Sequence, residues 1–356
     1  MADQKEITIE GILAHAVNTK ASDVHLATGE HMAFRVHGEL EKFIQGGDAS
    51  RLTPETMERL VRELYRGNET NIKDFYERHD SDFAYVIKDG TPFRVNGFFK
   101  LGKIAFVMRR IEREAKKMED LGLPPGLKKI LGAKQGLFLL TGPTGSGKST
   151  TMVSVIDRIN ESRNEHIITI EDPVEFIFTD KKSIFSQREV GRDTQSFISA
   201  IRGAMREDPD IVIVGEMRDK DTVEAAINLA ETGHLVFSTL HTSGSVQTIN
   251  RLVQFFNPDV QVQARVRLAD ALLGVLSQRL LPKIGGGRVG VHELMYITPA
   301  IKNLVKSGDL VQINNNIELG TAEGMISMKT SCEQKRDQGL VREEDYMGYF
   351  LDDQND

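Results

Sequence analysis

An apolar run from Gly136 to Thr141 breaks into Gly142-Pro143-Thr144-Gly145-Ser146-Gly147-Lys148-Ser149, and a helical pattern begins near Ser149. The eight residues fit G-x-x-x-x-G-K-[ST], and a strand before and a helix after are the context in which that spacing means a phosphate-binding loop. Glycines let the backbone wrap closely around phosphate oxygens, so that consecutive N–H groups and the helix N-terminus face negative charge. Lys148 would neutralise the β- and γ-phosphates of ATP, Ser149 would ligate Mg²⁺, and Gly142 to Thr150 is the expected nucleotide-binding set. A glycine-rich turn joining strand to helix without a ligand is the competing reading.

The loop fixes the class of fold around it. Short apolar runs recur at His166 to Ile170, Asp210 to Val214 and Leu235 to Leu240. Separated by helical segments, they read as a mostly parallel sheet covered on both faces. Helices are expected at Val223 to Glu231 and across Val262 to Leu281, with a last helical region from about Pro299 to the acidic end Asp352 to Asp356. In open α/β sheets ligands lie beyond the carboxyl ends of the strands. The first run ends in Glu171-Asp172-Pro173-Val174-Glu175, the second in Gly215-Glu216 and the third in His241. Gly215 stands where such a strand usually ends in Asp, which leaves Glu216 to reach Mg²⁺ or its water. Hydrolysis also needs a group to orient or deprotonate water, and Glu175 is the choice, although a solvated loop would account for Glu171, Asp172 or Glu175 taken singly. His241 would sense the γ-phosphate by a hydrogen bond. His234 lies seven residues before His241, about 23 Å away along an extended strand, so the two cannot touch one phosphate, and a structural or interface role is the competing reading of His234.

At 356 residues the chain suggests two domains. Residues 1–111 read as a small mixed domain. Ile9, Ile12, Leu13, Ala16 and Val17 keep helical spacing, Thr53-Pro54-Glu55 caps a second helix, and strands are expected at Met32 to Val36, Phe83 to Ile87, Phe93 to Phe99 and Ile104 to Ile111. A charged, Pro- and Gly-containing stretch, 112–126, reads as a linker, followed by the nucleotide-binding domain at 127–298 and the helical region at 299–356. With 45 basic and 52 acidic side chains, net charge −7, no bulk basic field exists to hold nucleic acid. The single cysteine, Cys332, can build neither an internal disulfide nor a cysteine zinc site, which suits a reducing compartment. The start of the chain lacks a secretory pattern, and its most apolar runs fall short of the roughly 18 residues of a transmembrane helix, so a soluble, intracellular protein is expected.

The motifs together resemble the hexameric secretion ATPases, and among them the type IV pilus retraction ATPases of the twitching-motility type. Ala21-Ser22-Asp23-Val24-His25-Leu26, the phosphate loop, Ile168 to Glu175, Asp208 to Asp219, and Thr232-Gly233-His234 through His241-Thr242 match that family in order and spacing. The resemblance implies an α/β protein with a PAS-like N-terminal α+β domain and a RecA-like ATPase domain ending in a helical region. It also implies a homohexameric ring with ATP between the two domains. It supports Glu175 as catalytic, as the last acid of the family's Asp box, assigns Glu216 to the metal side, and places His234 and His241 in its His box. Arg94 and Arg109 fall on the positions whose arginines complete the nucleotide site in that family; a guanidinium suits charge developing on the γ-phosphate. An inner-membrane pilus platform protein and a paralogous retraction ATPase are the implied partners, with the ring peripheral at the cytoplasmic face of that membrane.

One segment departs from the pattern. Retraction motors of the main type carry Ala-Ile-Arg-Asn-Leu-Ile-Arg-Glu where this chain has Ala300-Ile301-Lys302-Asn303-Leu304-Val305-Lys306-Ser307, so a point charge replaces each guanidinium fork and the acid is lost. An accessory motor dependent on a paralogue is therefore the alternative. Pilus assembly and type II secretion ATPases share the core motifs, but they resemble longer chains and usually carry a four-cysteine zinc site. A regulatory subunit that holds ATP without turnover is a further rival, opposed by Glu175, Glu216 and His241 together.

Overall fold

The computed structural model describes residues 7–36, 39–44, 50–111 and 113–352, the last five by backbone alone. The first six residues, Glu112 at the head of the expected linker, and 353–356 of the acidic end lie outside these. The chain divides into two compact units, Met1–Arg113 with Glu175–Ile177, and Glu114–Val174 with Phe178–Asp356.

In the first unit, α1 (Ile9–Asn18) starts at Thr8, whose hydroxyl accepts from the Gly11 N–H, and its helical spacing buries Ile9, Ile12, Leu13 and Ala16. Strands β1 (Asp23–Ala27), β2 (Ala33–Val36) and β3 (Glu39–Lys42) follow. Helix α2 (Pro54–Leu64) has the expected Thr53 cap and buries Met57, Leu60, Val61 and Leu64, and α3 (Glu69–Arg78) buries Phe75. Strands β4 (Asp80–Val86), β5 (Pro92–Lys100) and β6 (Lys103–Arg110) complete an antiparallel sheet of order β3-β2-β1-β6-β5-β4. The helices share a core with Phe93, Val95, Phe106 and Met108 from the sheet. Each such side chain fully removed from water contributes on the order of 1.5–3 kcal/mol.

The second unit is built on β7 (Gly136–Thr141), α4 (Lys148–Ser162), β8 (His166–Glu171), β9 (Ile184–Glu189), α5 (Phe197–Ala204), β10 (Ile211–Val214), α6 (Lys220–Glu231) and β11 (Leu235–Leu240). Then come α7 (Ser245–Gln254), α8 (Gln261–Ala271), β12 (Leu272–Pro282), β13 (Arg288–Tyr296), α9 (Pro299–Ser307), α10 (Ile313–Leu319), α11 (Met328–Asp337) and α12 (Glu343–Asp352). The sheet order is β13-β12-β7-β11-β10-β8-β9, parallel except for the β12–β13 pair. Side chains alternate across it. Leu137, Leu139, Val212 and Val236 meet Ala226, Ile249 and Leu268 on one face, whereas Phe138, Leu140, Ile213 and Phe237 meet Val155, Ile156 and Ile159 on the other.

Two expectations change. The helix read across Val262 to Leu281 ends at Ala271, and β12 takes over from Leu272 because it pairs with β7 on one side and β13 on the other. The stretch read as a linker, 112–126, belongs from Glu114 to the second unit, where Met118 is buried in one cluster with Leu127 and Ile130. Among the described residues no helix is long and apolar enough to cross a membrane.

Candidate active site

Strand β7 is buried along its whole length and delivers the chain to the phosphate loop at the carboxyl end of the sheet. Gly142 and Gly147 bracket the turn with φ of 140° and 87°, values that L side chains rarely adopt. A Cβ at Gly142 would run into the Gln278 carbonyl oxygen, and one at Gly147 would sit 2.7 Å from the Gln278 amide nitrogen. The cradle is therefore open only to a backbone without side chains at these points. Lys148, 9% exposed, donates from Nζ to the carbonyls of Gly142 (2.7 Å) and Pro143 (3.1 Å), which holds its ammonium against the loop. Ser149 and Thr150 are exposed in the first turn of α4, as are Pro143, Thr144 and Gly145 in the loop.

Because β11 lies beside β7, the residue that follows it faces the loop. His241 Nδ1 is 3.5 Å from both Lys148 Nζ and Thr144 Oγ1, and its Nε2 is 3.3 Å from Glu216 Oε1. Glu216, carried just beyond β10, accepts on Oε2 from Arg218 Nε at 2.9 Å, and Arg218 Nη2 ion-pairs with the same oxygen at 2.9 Å. That hydrogen bonding and the Glu216 charge raise the Arg218 pKa further. Arg218 Nη1 stands 4.0 Å from Asp172 Oδ2, and Glu171 Oε1 accepts from Thr169 Oγ1 at 2.6 Å. Lys148, Thr144, His241 and Glu216 thus form one continuous polar chain, with Asp172 reached through Arg218.

The expected His234 does not join that chain. His234 is at the opposite end of β11, with Nδ1 3.0 Å from the Leu229 carbonyl and 3.2 Å from the Thr232 hydroxyl, so its ring is occupied in the turn after α6. Glu175, exposed, belongs with Phe176 and Ile177 to the first unit. Arg94 and Arg109 are cross-strand neighbours on β5 and β6 of that unit. Arg94 forks onto Asp82, with Nη2 to Oδ2 at 2.7 Å, and Arg109 Nε donates to Asp23 Oδ1 at 2.8 Å. Burial pushes the Asp23 carboxyl up, but hydrogen bonds from Arg109 and Ser22 with the Arg109 charge outweigh it and hold Asp23 below the usual range.

With this geometry in view, the family model described as "Type II/IV secretion system protein" matches residues 2–286. The chain belongs to that family. It is 40% identical over 336 residues to a relative named type IV pilus retractation ATPase PilT, from Pseudomonas aeruginosa, covering 94% of this chain and 96% of the relative. It is 33% identical to the type IV pilus ATPase PilU of the same organism, covering 98% of this chain and 89% of that one. A crystal structure of the pilus retraction motor PilT with bound ADP superposes with a TM-score of 0.89 at 43% identity, over 96% of this chain and 97% of that one. The α/β fold, with a sheet-rich N-terminal part and a parallel-sheet domain carrying helices, is that of this relative.

Two residues of the site escape sequence reasoning. Arg218 follows Glu216 by two positions and reads as an ordinary surface cation before the fold closes on it. Gln278 lies in the segment that reads as helix, and no local motif marks it.

Proposed function

We propose that this chain is an ATP-hydrolysing motor that powers type IV pilus retraction, working as a homohexameric ring at the cytoplasmic face of the inner membrane against a pilus platform protein. The observation that carries the reading is the polar chain from the phosphate loop through His241 to Glu216, within a protein 40% identical to a pilus retraction ATPase over 94% of its length. Lys148 binds the β- and γ-phosphates, and the loop N–H groups cradle them. His241, between Lys148 and Glu216, reads whether a γ-phosphate is present. Glu175 orients and deprotonates the attacking water. Arg94 and Arg109 bring guanidinium charge to the γ-phosphate as the ring closes, and its loss on hydrolysis releases them, so that rotation of one domain against the other follows the nucleotide.

Mg²⁺ fits the donor set. Ser149 and Glu216 offer hard oxygens, and Ser149 is exposed in the first turn of α4, beside the loop. This suits an ion that is held by one or two protein oxygens together with substrate phosphates and water. When bound it would neutralise charge on the phosphate oxygens.

A second reading is favoured by Lys302 and Lys306, which both ion-pair with Asp270, at 2.9 and 2.8 Å, in the segment where main retraction motors carry arginines. It is an accessory retraction ATPase that acts with a paralogue. Steady-state phosphate release from the purified protein tests the shared core: turnover that needs Mg²⁺ is expected, and a protein that binds ATP without turnover would leave only a regulatory role.

A further inference from the structure

Gln278 lies on β12, a strand that pairs with β7 and does not lead into the phosphate loop. The register sets Ser277 opposite Thr141, which brings Gln278 level with Gly142. Its side chain is 5% exposed and both ends of its amide are used. Nε2 donates to the Ser146 carbonyl at 2.7 Å, and Oε1 accepts from the Thr151 hydroxyl, also at 2.7 Å. An amide has a donor end and an acceptor end, so these two partners fix which way it points. Thr151 is itself buried in the first turns of α4. The two glycines that bracket the loop leave room for the same residue: a Cβ at Gly142 would meet its carbonyl oxygen and one at Gly147 its amide nitrogen. One glutamine therefore ties the loop to α4 and fills the space that both bracketing glycines leave open.

The consequence follows from peptide geometry. The Ser146 carbonyl and the Gly147 N–H belong to one planar trans peptide and point in opposite directions. Anchoring the carbonyl on β12 turns the Gly147 N–H away from that strand. An anion-binding loop offers N–H groups only while its carbonyls face elsewhere. We propose that Gln278 is a positioning residue for nucleotide binding, whose amide holds the phosphate loop in its anion-accepting form. This rests on the reading of the loop as an ATP site and adds the group that sets its shape from a neighbouring strand.

The test is steady-state ATP hydrolysis by the full chain, with thermal melting in the absence of nucleotide as the control for folding. Gln278→Leu removes both bonds at similar volume, and KM for ATP should rise about 10- to 100-fold, the range for losing a buried hydrogen bond, while kcat at saturation stays within about twofold. Gln278→Glu keeps the acceptor for Thr151 and sets a carboxylate oxygen against the Ser146 carbonyl, so KM should rise at least as far. Thr151→Val leaves the Ser146 bond in place, should raise KM less, and should add nothing in the Gln278→Leu background. A folded Gln278→Leu protein with KM within about twofold of the parent would overturn the proposal. So would variants whose kcat and melting temperature fall together at constant KM, the mark of a merely structural residue. Should Gln278→Leu fail to fold, Gln278→Glu decides: a parental KM there overturns the proposal equally. Failure of the unmodified chain to hydrolyse or bind ATP is a different result, and it would remove the ATP reading itself.

Discussion

Replacing His292 should flatten the acid side of the stability profile. The residue lies on β13 at 1% exposure, its backbone N–H donates to the Ser331 hydroxyl at 3.0 Å, and its ring Nε2 is buried with no partner. Burial, helped by the nearby Lys335 charge, pushes its pKa down to about 3. An unfolded histidine titrates near 6.5, so as pH falls through that value the unfolded chain takes up a proton that the folded one refuses until about pH 3. Stability is thus complete above the unfolded pKa and is lost progressively below it. Between pH 7.5 and pH 5 this single group costs about 2 kcal/mol, close to 1.5 pH units at 1.36 kcal/mol each. Urea unfolding of the parent and of His292→Gln at the two pH values isolates the effect, because His25, whose pKa burial also lowers, is present in both. The parent should lose about 2 kcal/mol more than the variant on acidification. Equal losses, or a His292 ring that titrates near 6.5 by NMR, would refute the reasoning.

Lys148→Ala should lose nucleotide affinity and turnover together, read by binding of a fluorescent ADP analogue and by phosphate release. Glu175→Gln should keep binding while turnover falls by roughly 10² to 10⁴, the range for a lost general base; unchanged turnover would remove Glu175 from the mechanism. Arg94→Ala should leave binding largely intact and lower turnover. Mixing Lys148→Ala subunits with unmodified ones should depress activity more than dilution requires, whereas fully active monomers by light scattering would end the ring.

The sequence carries part of the site and part of the sheet. Strands β7, β10 and β11 are legible because parallel strands covered on both faces are continuous apolar runs, and the residues past two of their ends, Glu216 and His241, are ones the fold brings within 3.3 Å. Thr53 announces α2 because its hydroxyl acts locally, accepting from the Thr56 N–H at the helix start. Strand β12 is illegible for the opposite reason. Leu272 to Leu281 is rich in leucine and follows α8 without a break, so local propensity continues the helix, while pairing to β7 and β13 decides the matter at long range. Gln278 is lost with that strand. Strand β9, at the sheet edge with one neighbour, carries a polar, mixed sequence that no alternation reveals. The 112–126 stretch looks like a linker because it is charged, yet Met118 is buried in a core and Leu123 packs against the same cluster.

The central claim, that ATP turnover at this phosphate loop pulls pili back, is tested most directly by pilus force and speed in an optical trap. The measurement compares cells whose only copy carries Lys148→Ala with cells carrying the unmodified chain. Pili that assemble but fail to retract, with motion restored by the unmodified copy, are the expected result. Retraction at normal speed and force in the Lys148→Ala cells, including after removal of any paralogue, would contradict it.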